Sequence, residues 1–261
     1  MLLEGKSAIV TGSTSGIGLG IARAFAAQGA DVLLNGFGDA AEIESTRAET
    51  QRRYGVEVRY SDADMSRPEQ IRAMVELAQA ELGKVDIVVN NAGIQHVAPV
   101  EDFPEAQWDA IVAVNLSSAF HLVKAALPGM KERRWGRIVN VASAHGLTAS
   151  PYKSAYVTAK HGLIGFSKTV ALELAEFGIT SNTISPGYVR TPLVDRQIAD
   201  QARAHGIVEA DVVRDVLLAH QARKEFVRVD ELAALAVFLA SDAAASMTAA
   251  ALAMDGGWTQ H

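Results

Sequence analysis

The run from Gly12 to Gly18, Gly-Ser-Thr-Ser-Gly-Ile-Gly, constrains the fold of this chain more than any other segment. It follows the apolar run Ser7–Val10, which is typical of a buried strand, and it overlaps the start of a helical apolar spacing over Gly16–Gln28. Glycine lets a ligand approach the main chain, and a helix N-terminus offers unpaired N–H groups and a positive dipole end to an anion. The spacing differs from the usual dinucleotide fingerprint, so the alternative is a loop with a helix cap. The order of strand, turn and helix favours a diphosphate site.

Composition and charge argue against several classes of protein. The 261 residues are 49% hydrophobic and 21% charged, which suits one α/β domain with a large core or two small domains. A net charge of −6 with scattered lysine and arginine gives little support to binding of nucleic acid or a membrane surface. The chain contains no cysteine, so disulfides and thiolate metal sites are excluded, and we expect no metal site. The N-terminus lacks a signal-peptide pattern and the apolar stretches look too short or too interrupted to span a bilayer, so we expect a cytoplasmic protein.

Strand-length apolar runs alternate with helical patterns along the chain. The predicted strands are Ser7–Val10, Asp31–Leu34, Glu57–Tyr60, Ile87–Val89, Gly136–Val141, Thr180–Ile184 and Ala251–Met254. The predicted helices are Gly16–Gln28, Glu42–Arg53, Pro68–Leu82, Ser117–Arg133, Ser154–Phe177 and Asp230–Ser241. This alternation predicts an α/β fold with a doubly wound parallel sheet of seven strands. Because no linker, repeat or low-complexity tract interrupts it, we expect one domain over residues 1–261.

The segment Tyr188–Val229 breaks the alternation, because nothing in it reads as a strand. It contains two helical patterns, Leu193–Ala204 and Glu209–Ala222. An insertion after the sixth strand lies at the sheet edge where ligands of open α/β sheets bind. We interpret it as a helical lid over the substrate, with a surface helical hairpin as the alternative.

Four polar residues form a candidate catalytic group. Tyr156 and Lys160 are four positions apart in a helical segment and therefore share one helix face, where a lysine cation favours the phenolate. Ser143 follows the strand Gly136–Val141 and is placed to hydrogen-bond the same substrate oxygen. Asn115 is a polar residue in an apolar helical pattern, where it either holds a water or makes a local backbone contact or kink. For the tyrosine and lysine alone, a surface pair is an equal alternative.

Together these motifs resemble the short-chain dehydrogenase/reductase family over essentially the whole chain. The motifs are Thr11-Gly12-x-x-x-Gly16-Ile17-Gly18, Asn90-Asn91-Ala92-Gly93, Asn115, Ser143, Tyr156-x-x-x-Lys160 and Pro186-Gly187. The resemblance implies a Rossmann-like domain and hydride transfer with a nicotinamide cofactor. It implies that Tyr156 is the acid/base, that Lys160 binds the nicotinamide ribose and lowers the tyrosine pKa, and that Ser143 orients the substrate. It also implies that Asn115 completes a proton relay.

The same resemblance implies a set of cofactor-binding residues, with Asp64 at the adenine and Thr191 near the carboxamide. The set is Gly12, Thr14, Ser15, Gly16, Ile17, Gly18, Phe37, Asp64, Asn91, Gly93, Tyr156, Lys160 and Thr191. An acidic residue at the end of the second strand would favour NAD, but the chain has Asn35-Gly36-Phe37-Gly38 there. No lysine or arginine stands at those positions or at Ser15, so a 2′-phosphate lacks a nearby cation. We therefore hypothesise NAD over NADP, with Phe37 packing on the adenosine or in the core.

A closer resemblance, to the bacterial D-3-hydroxybutyrate dehydrogenases, rests on five segments. They are Gly93–His96, Ala142–Leu147, Lys153–Tyr156, Val189–Gln197 and Asp255–Thr259. It implies interconversion of (R)-3-hydroxybutyrate and acetoacetate, and the substrate-binding residues it implies are Gln95, Ser143, His145, Lys153, Tyr156, Tyr188, Gln197 and Trp258. Gln95, His145, Lys153 and Gln197 would converge on the carboxylate, and Trp258 would close the methyl end. Each of these also has a structural alternative, such as a loop contact, a surface lysine or a core anchor.

Two positions depart from that closer pattern. Tyr188 stands where those dehydrogenases carry tryptophan, so the pocket is expected to be roomier or more polar and to accept a longer 3-hydroxy acid. Ala249 stands where the family usually has glycine, so a strained turn is expected. The family resemblance also implies a homotetramer, with Ser117–Arg133 and Ser154–Phe177 at an interface. The alternative functions are another reductase of the family, acting on a 3-ketoacyl thioester or a sugar alcohol, or a non-catalytic nucleotide-sensing protein.

Overall fold

Seven parallel strands form one sheet in the order β3-β2-β1-β4-β5-β6-β7. The computed structural model describes residues 1–191, 194, 198, 202 and 206–260. The strands are β1 (Ser7–Val10), β2 (Asp31–Asn35), β3 (Val58–Ser61), β4 (Ile87–Asn90), β5 (Gly136–Val141), β6 (Ile179–Pro186) and β7 (Ala251–Met254). β1 pairs with both β2 and β4, so the strand order reverses between β1 and β4. The loops that follow these two strands therefore diverge and leave a crevice at the sheet edge. The predicted Rossmann-like architecture is confirmed.

Helices cover both faces of the sheet. They are α1 (Gly16–Ala27), α2 (Ala40–Tyr54), α3 (Pro68–Leu82), α4 (Glu105–Val112), α5 (Ser118–Arg133), α6 (Ser154–Leu174) and α7 (Val229–Ala240). Alternate strand residues face opposite layers, as the period of a strand requires. Val10 packs in the core with α1 and α7, whereas its neighbour Ile9 packs in the core with α3, α5 and α6.

Helix α4 and the five-residue π-helical turn Ala113–Ser117 were not expected from the sequence. In α4 only Ile111 is buried, so the apolar periodicity that identifies a helix is weak there. The π-helical turn shifts the phase of the pattern, which explains why the prediction began the long helix at Ser117. The predicted bounds of α3 are confirmed, and those of α1, α2, α6 and α7 differ from the prediction by one to three residues at an end.

One helical run is long and apolar enough to cross a membrane. Glu105–Arg133 spans 29 residues with a mean hydropathy of 1.6 over its most apolar window. By length and composition alone, the expectation that every apolar stretch falls short of a bilayer is wrong. The core helix of a soluble protein can also be this long and this apolar. The run here packs against α3, α6, β4 and β5. It is therefore weak support for a membrane span.

The segment between β6 and α7 is described only in part. Val194, Ile198 and Ala202 are helical, and Ile198 is buried with residues of the helical stretch Glu209–Leu217. The remainder of the predicted helix Leu193–Ala204 lies outside the described residues. The second predicted helix, Glu209–Ala222, ends earlier than expected, at Leu217. The described residues of this segment contain no strand, as expected, although Val189 and Val227 form an isolated parallel bridge.

The turn before β7 places Ala249 in the left-handed region, with φ of +60°. Its N–H donates to the carbonyl oxygen of Ser181 at 2.9 Å, which fixes the residue against β6. A Cβ atom in this conformation lies close to the following carbonyl oxygen, so the strain expected from the sequence is present.

We expect Ala249→Gly to raise the free energy of unfolding by about 1 kcal/mol, because it removes this steric conflict. Ala245→Gly is the matched control, because Ala245 has an ordinary φ of −57°. There the added chain flexibility lowers stability by about 0.5 kcal/mol. Denaturant unfolding of both variants measures the difference, and a loss of stability in Ala249→Gly contradicts the prediction.

Candidate active site

The glycine-rich turn after β1 is pressed against the loop after β4. A Cβ atom on Gly12 would lie 2.9 Å from the Cα of Ala92, and one on Gly18 would lie 2.5 Å from Nδ2 of Asn91. Nδ2 of Asn91 donates to the carbonyl oxygens of Thr11 at 2.8 Å and Gly12 at 3.0 Å. The amide of Asn91 therefore holds the shape of the turn, a structural role that the sequence did not reveal beside its predicted cofactor contact.

The N-terminus of α1 is arranged to receive an anion. Its first turn, Gly16–Leu19, contains no acidic residue, and within the described ranges the N-cap Ser15 makes no side-chain capping bond. Gly16 has φ of +57°, and a Cβ atom there would meet Cγ2 of Thr191 at 3.7 Å. The unpaired N–H groups of a helix start favour negative charge, so these residues fit a diphosphate.

A cavity of about 300 Å³ opens at the point where the strand order reverses. It is lined by Gly12, Thr14, Ser15, Asn35, Gly36, Phe37, Ala63, Asp64, Met65, Asn91, Ala92, Gly93, Ile94 and Val114. Seven of the predicted cofactor-binding residues are among them, and Ile17 and Thr191 line the neighbouring cavity. Phe37 is 67% exposed, so its alternative role as a core residue is wrong.

Asn35, which replaces the expected acidic residue, is engaged inside the protein. Nδ2 of Asn35 donates to the carbonyl oxygens of Ser61 at 3.2 Å and Ala63 at 2.9 Å. Its Oδ1 accepts from the N–H of Gly12 at 3.3 Å. Asn35 thus ties β2 to the glycine-rich turn. The carboxylate of Asp64 accepts from the N–H and hydroxyl of Ser66, and these bonds lower the pKa of Asp64.

Three of the predicted catalytic residues meet at the carboxyl end of β5. Ser143 follows β5 and lines the same cavity as Tyr156, which lies in the first turn of α6. Nζ of Lys160 lies 5.6 Å from the centroid of the Tyr156 ring and donates to the carbonyl oxygen of Val141 at 2.9 Å. The equal alternative of a surface pair is excluded for Lys160, which is only 3% exposed.

Burial dominates the titration of this group. It raises the pKa of Tyr156, and the hydrogen bond to Ser143 opposes this only in part. Burial also lowers the pKa of Lys160 to about 8. Loss of solvent around the phenol sets the direction of the Tyr156 pKa shift, and the expectation that Lys160 lowers this pKa stays a prediction.

Asn115 lies in the π-helical turn and is buried. Its Oδ1 accepts from the N–H of Ile94 at 2.8 Å, and its Nδ2 donates to the carbonyl oxygen of Ile94 at 2.9 Å. A Cβ atom on Gly93 would lie 3.5 Å from Oδ1 of Asn115 and 3.7 Å from Nζ of Lys160. The local backbone contact and the helix irregularity are both present, and the position beside Lys160 leaves the proton-relay role a prediction.

A second cavity, of about 210 Å³, adjoins the hydroxyl groups of Ser143 and Tyr156. Seven of the eight predicted substrate-binding residues line it: Gln95, Ser143, His145, Lys153, Tyr156, Tyr188 and Trp258. The eighth, Gln197, lies outside the described residues. Residues distant in sequence therefore converge on one small space, as expected for a binding site.

Lys153 supplies positive charge to this cavity. Its Nζ lies 3.1 Å from Nε2 of His145, and burial lowers the pKa of Lys153. Burial, with a smaller contribution from Lys153, lowers the pKa of His145 to about 4. The imidazole is therefore neutral near pH 7, with Nε2 accepting from the ammonium. Nδ1 of His145 is buried and has no hydrogen-bond partner among the described residues.

Aromatic rings form the apolar side of the cavity. The rings of Tyr188 and Trp258 stack, with their centroids 5.4 Å apart and their planes at an angle of 8°. The rings of His145 and Trp258 form a T-shaped pair with their centroids 4.9 Å apart. His220 also stacks on Trp258, with centroids 6.1 Å apart. Sequence reasoning missed His220. No motif around His220 indicates that this part of the 188–229 segment contacts Trp258 near the end of the chain.

Comparisons with known proteins identify the family. The family model described as Enoyl-(Acyl carrier protein) reductase matches residues 12–259. A crystal structure assigned as a short-chain alcohol dehydrogenase from Sinorhizobium meliloti 1021 is similar with a TM-score of 0.89 and 33% identity, covering 99% of this chain and 98% of that one. This chain belongs to the short-chain dehydrogenase/reductase family. Dehydrogenases of this family use a nicotinamide cofactor, and the turn and crevice described above fit one.

Two relatives are similar over nearly the full length of both chains. The D-beta-hydroxybutyrate dehydrogenase of Cupriavidus necator is 56% identical over 258 residues, which are 98% of this chain and 99% of the relative. The D-beta-hydroxybutyrate dehydrogenase of Rhizobium meliloti is 54% identical over 254 residues, which are 97% of this chain and 98% of the relative. Within the part of the chain that the structure describes, no group of three or more histidine, aspartate or glutamate side chains is placed to hold a metal ion.

Proposed function

We propose that this short-chain dehydrogenase is an NAD-dependent oxidoreductase that interconverts (R)-3-hydroxybutyrate and acetoacetate. The observation that carries the proposal is the cavity of about 210 Å³ in which Lys153 shares one space with the Ser143–Tyr156 hydroxyl pair. A substrate there needs an anionic group at one end and an oxygen on a reacting carbon nearby. The two relatives at 54–56% identity support the same substrate.

The size and lining of the cavity favour a short free acid over the alternative substrates. Its volume is below the ~300–1,000 Å³ of sites for drug-sized ligands, so most of an acyl carrier would remain outside. A carrier thioester also calls for a basic mouth, whereas the charge of Lys153 points to His145 inside the site. A sugar alcohol calls for polar groups along its length, and the ring stack of Tyr188 and Trp258 offers an apolar wall instead.

In the proposed mechanism, the phenolate form of Tyr156, favoured by the nearby Lys160 cation, takes the hydroxyl proton of the substrate and becomes the neutral phenol. Ser143 donates a hydrogen bond to the same substrate oxygen. Lys153, with Gln95 and Gln197, holds the carboxylate so that carbon 3 is oriented for reaction. A bound nicotinamide would supply the hydride acceptor, held by the glycine-rich turn and Lys160. Lys160 has a pKa of about 8, which suits proton exchange near neutral pH, and Asn115 lies beside it to position a relay water.

The crevice also favours NAD over NADP. Among the described residues that line the cavity of about 300 Å³, Asp64 is acidic and none is lysine or arginine. The amide of Asn35 is already hydrogen-bonded to the backbone, so it provides no donor for a 2′-phosphate. A phosphate there would lack the charge-assisted bonds that normally hold it.

Assembly, the lid and location complete the proposal. Residues 188–229 act as a lid within one domain of residues 1–261, since Tyr188 and Val194 line the substrate cavity. The exposed apolar side chains of Phe120 on α5 and Leu172 on α6 suit burial in a homotetramer.

We propose a cytoplasmic enzyme. A non-catalytic role is disfavoured, because Ser143 and Tyr156 line the substrate cavity and Nζ of Lys160 lies 5.6 Å from the centroid of the Tyr156 ring.

Wild-type protein should reduce NAD with (R)-3-hydroxybutyrate, and Tyr156→Phe should lower kcat by about 10³-fold because it removes the acid/base group. Absorbance of reduced nicotinamide measures turnover, and fluorescence titration with NADH shows whether the variant still binds cofactor. Tyr54→Phe is the control for loss of a tyrosine hydroxyl away from both cavities. Near-normal turnover by Tyr156→Phe, or faster turnover of the coenzyme A thioester than of the free acid, contradicts the proposal.

We expect kcat/KM to be higher with NAD than with NADP, and Phe37→Arg to raise kcat/KM for NADP by about tenfold. The reason is that an arginine at this exposed position supplies the missing partner for a 2′-phosphate. Phe37→Leu, which adds no charge, should leave the ratio of the two cofactors unchanged. A wild-type preference for NADP would refute the assignment of NAD.

The inhibition constant of acetate, a carboxylate that cannot react, should show no step near pH 6.5, the ordinary pKa of histidine. His145 is already neutral there because its pKa is about 4. On the alkaline side binding should weaken as Lys153 loses its proton, at a lower pH than for an ordinary lysine because burial lowers its pKa. Lys153→Met should weaken acetate binding by about 100-fold and abolish the alkaline limb. A midpoint near pH 6.5 in the wild type would instead identify His145 as the charged anchor.

A further inference from the structure

The aromatic wall of the substrate cavity is built from two separate chain segments. Tyr188 follows β6, and Trp258 follows β7, yet their rings stack with planes only 8° apart. Both rings line the cavity, so its width depends on the relative position of the two backbones that carry them. A small shift of either backbone would change that width.

Gln221 lies where these two segments meet the end of the proposed lid. The residue is fully buried, with 0% exposure. Its Oε1 accepts from the backbone N–H of Tyr188 at 3.0 Å. Its Nε2 donates to the carbonyl oxygens of Glu225 at 2.9 Å and Arg223 at 3.4 Å, which closes its own loop.

The Gln221 amide packs against two glycines, where a side chain would collide with it. A Cβ atom on Gly187 would lie 2.6 Å from Oε1 of Gln221, and one on Gly256 would lie 3.0 Å from Nε2. The amide therefore fits between the segment that leads to Tyr188 and the segment that leads to Trp258. A larger residue at either glycine would displace it.

The loop that Gln221 closes is bonded to both segments by its backbone. The N–H of Arg223 donates to the carbonyl oxygen of Gly256 at 2.9 Å, and the N–H of Val227 donates to the carbonyl oxygen of Tyr188 at 2.9 Å. Loss of the Gln221 amide would leave the partly buried N–H of Tyr188 without its acceptor and would loosen this loop. Buried polar networks of this kind fix one arrangement of the backbone.

We propose that Gln221 is a positioning residue that sets the width of the substrate cavity and thereby its preference for short 3-hydroxy acids. Gln221 does not line the cavity and does not touch the reacting atoms; it acts through the backbone of Tyr188 and the Gly256–Trp258 segment. The inference rests on the proposed function, since it names a determinant of specificity for that same site.

The test compares kcat and KM of wild type, Gln221→Met and Gln221→Asn on (R)-3-hydroxybutyrate and (R)-3-hydroxyvalerate with NAD. Methionine keeps the length of the side chain but removes both amide hydrogen-bonding groups, whereas asparagine keeps the amide on a shorter arm. We expect Gln221→Met to raise KM for 3-hydroxybutyrate by about tenfold with less than about threefold loss of kcat, and to lower the preference for it over 3-hydroxyvalerate by about fivefold. Gln221→Asn should show the same changes in smaller measure.

Gln51→Met is the matched control. Oε1 of Gln51 also accepts hydrogen bonds, from Arg47 and from the N–H of Val58, but Gln51 lines neither the substrate cavity nor the cofactor cavity. This variant should keep the wild-type preference even if its melting temperature falls. Titration with NADH should give the same dissociation constant for all variants, because the cofactor crevice is untouched.

Hydrogen exchange of the wild-type protein tests the geometry if the Gln221 variants do not fold. The amide of Tyr188 should exchange as slowly as those of β6, whereas a fast rate overturns the proposal because the Gln221 bond then does not hold that backbone. For folded variants, KM and preference within about twofold of wild type overturn it as well. Failure of the proposed function is a different result, in which the wild type itself does not oxidise 3-hydroxybutyrate.

Discussion

The close approach of the glycine-rich turn to the loop after β4 is the constraint on which the rest of the site depends. Asn91 bonds two carbonyl oxygens of the turn, and Gly12 and Gly18 have no room for a side chain on the surfaces that meet it. The same loop continues to Gly93 and Ile94, where the side chain of Asn115 hydrogen-bonds both the N–H and the carbonyl oxygen of Ile94. The crevice at the reversal of strand order is thus a fixed shape and not a gap that a ligand must open.

The site also buries two lysine side chains. Lys160 and Lys153 both lose solvent, and both have a lowered pKa as a result. Their compensation differs, because Lys160 donates to a backbone carbonyl whereas Lys153 donates to a neutral imidazole. Neither has a carboxylate of the protein bonded to it among the described hydrogen bonds and ion pairs. Such cations are costly to bury alone, and the carboxylate proposed to bind at Lys153 would offset that cost there.

Much of the fold and the site could be predicted from the sequence, for identifiable reasons. Parallel strands bring their carboxyl ends to one edge, so Ser143 after β5 and Tyr156 with Lys160 on one helix face had to meet there. The features that the sequence could not predict are those that depend on burial in three dimensions. The direction of the pKa shift of Tyr156 follows from loss of solvent, which residue spacing does not report. Asn35 looked like a missing ligand, yet its amide is part of the scaffold. Helix α4 was missed because most of its surface is solvated.

The π-helical turn Ala113–Ser117 has a consequence for the whole run from Glu105 to Arg133. A wider turn accommodates one extra residue, and each residue of an α-helix advances the azimuth by about 100°. The parts of the run before and after the turn therefore present different faces to their neighbours, and α4 packs on α6 while α5 packs on α3. One continuous helical run thus contacts two separate helices. Removing a single residue from this turn would rotate α4 by about 100° relative to α5 and turn Ile111 away from Ala155 and Ala159 of α6.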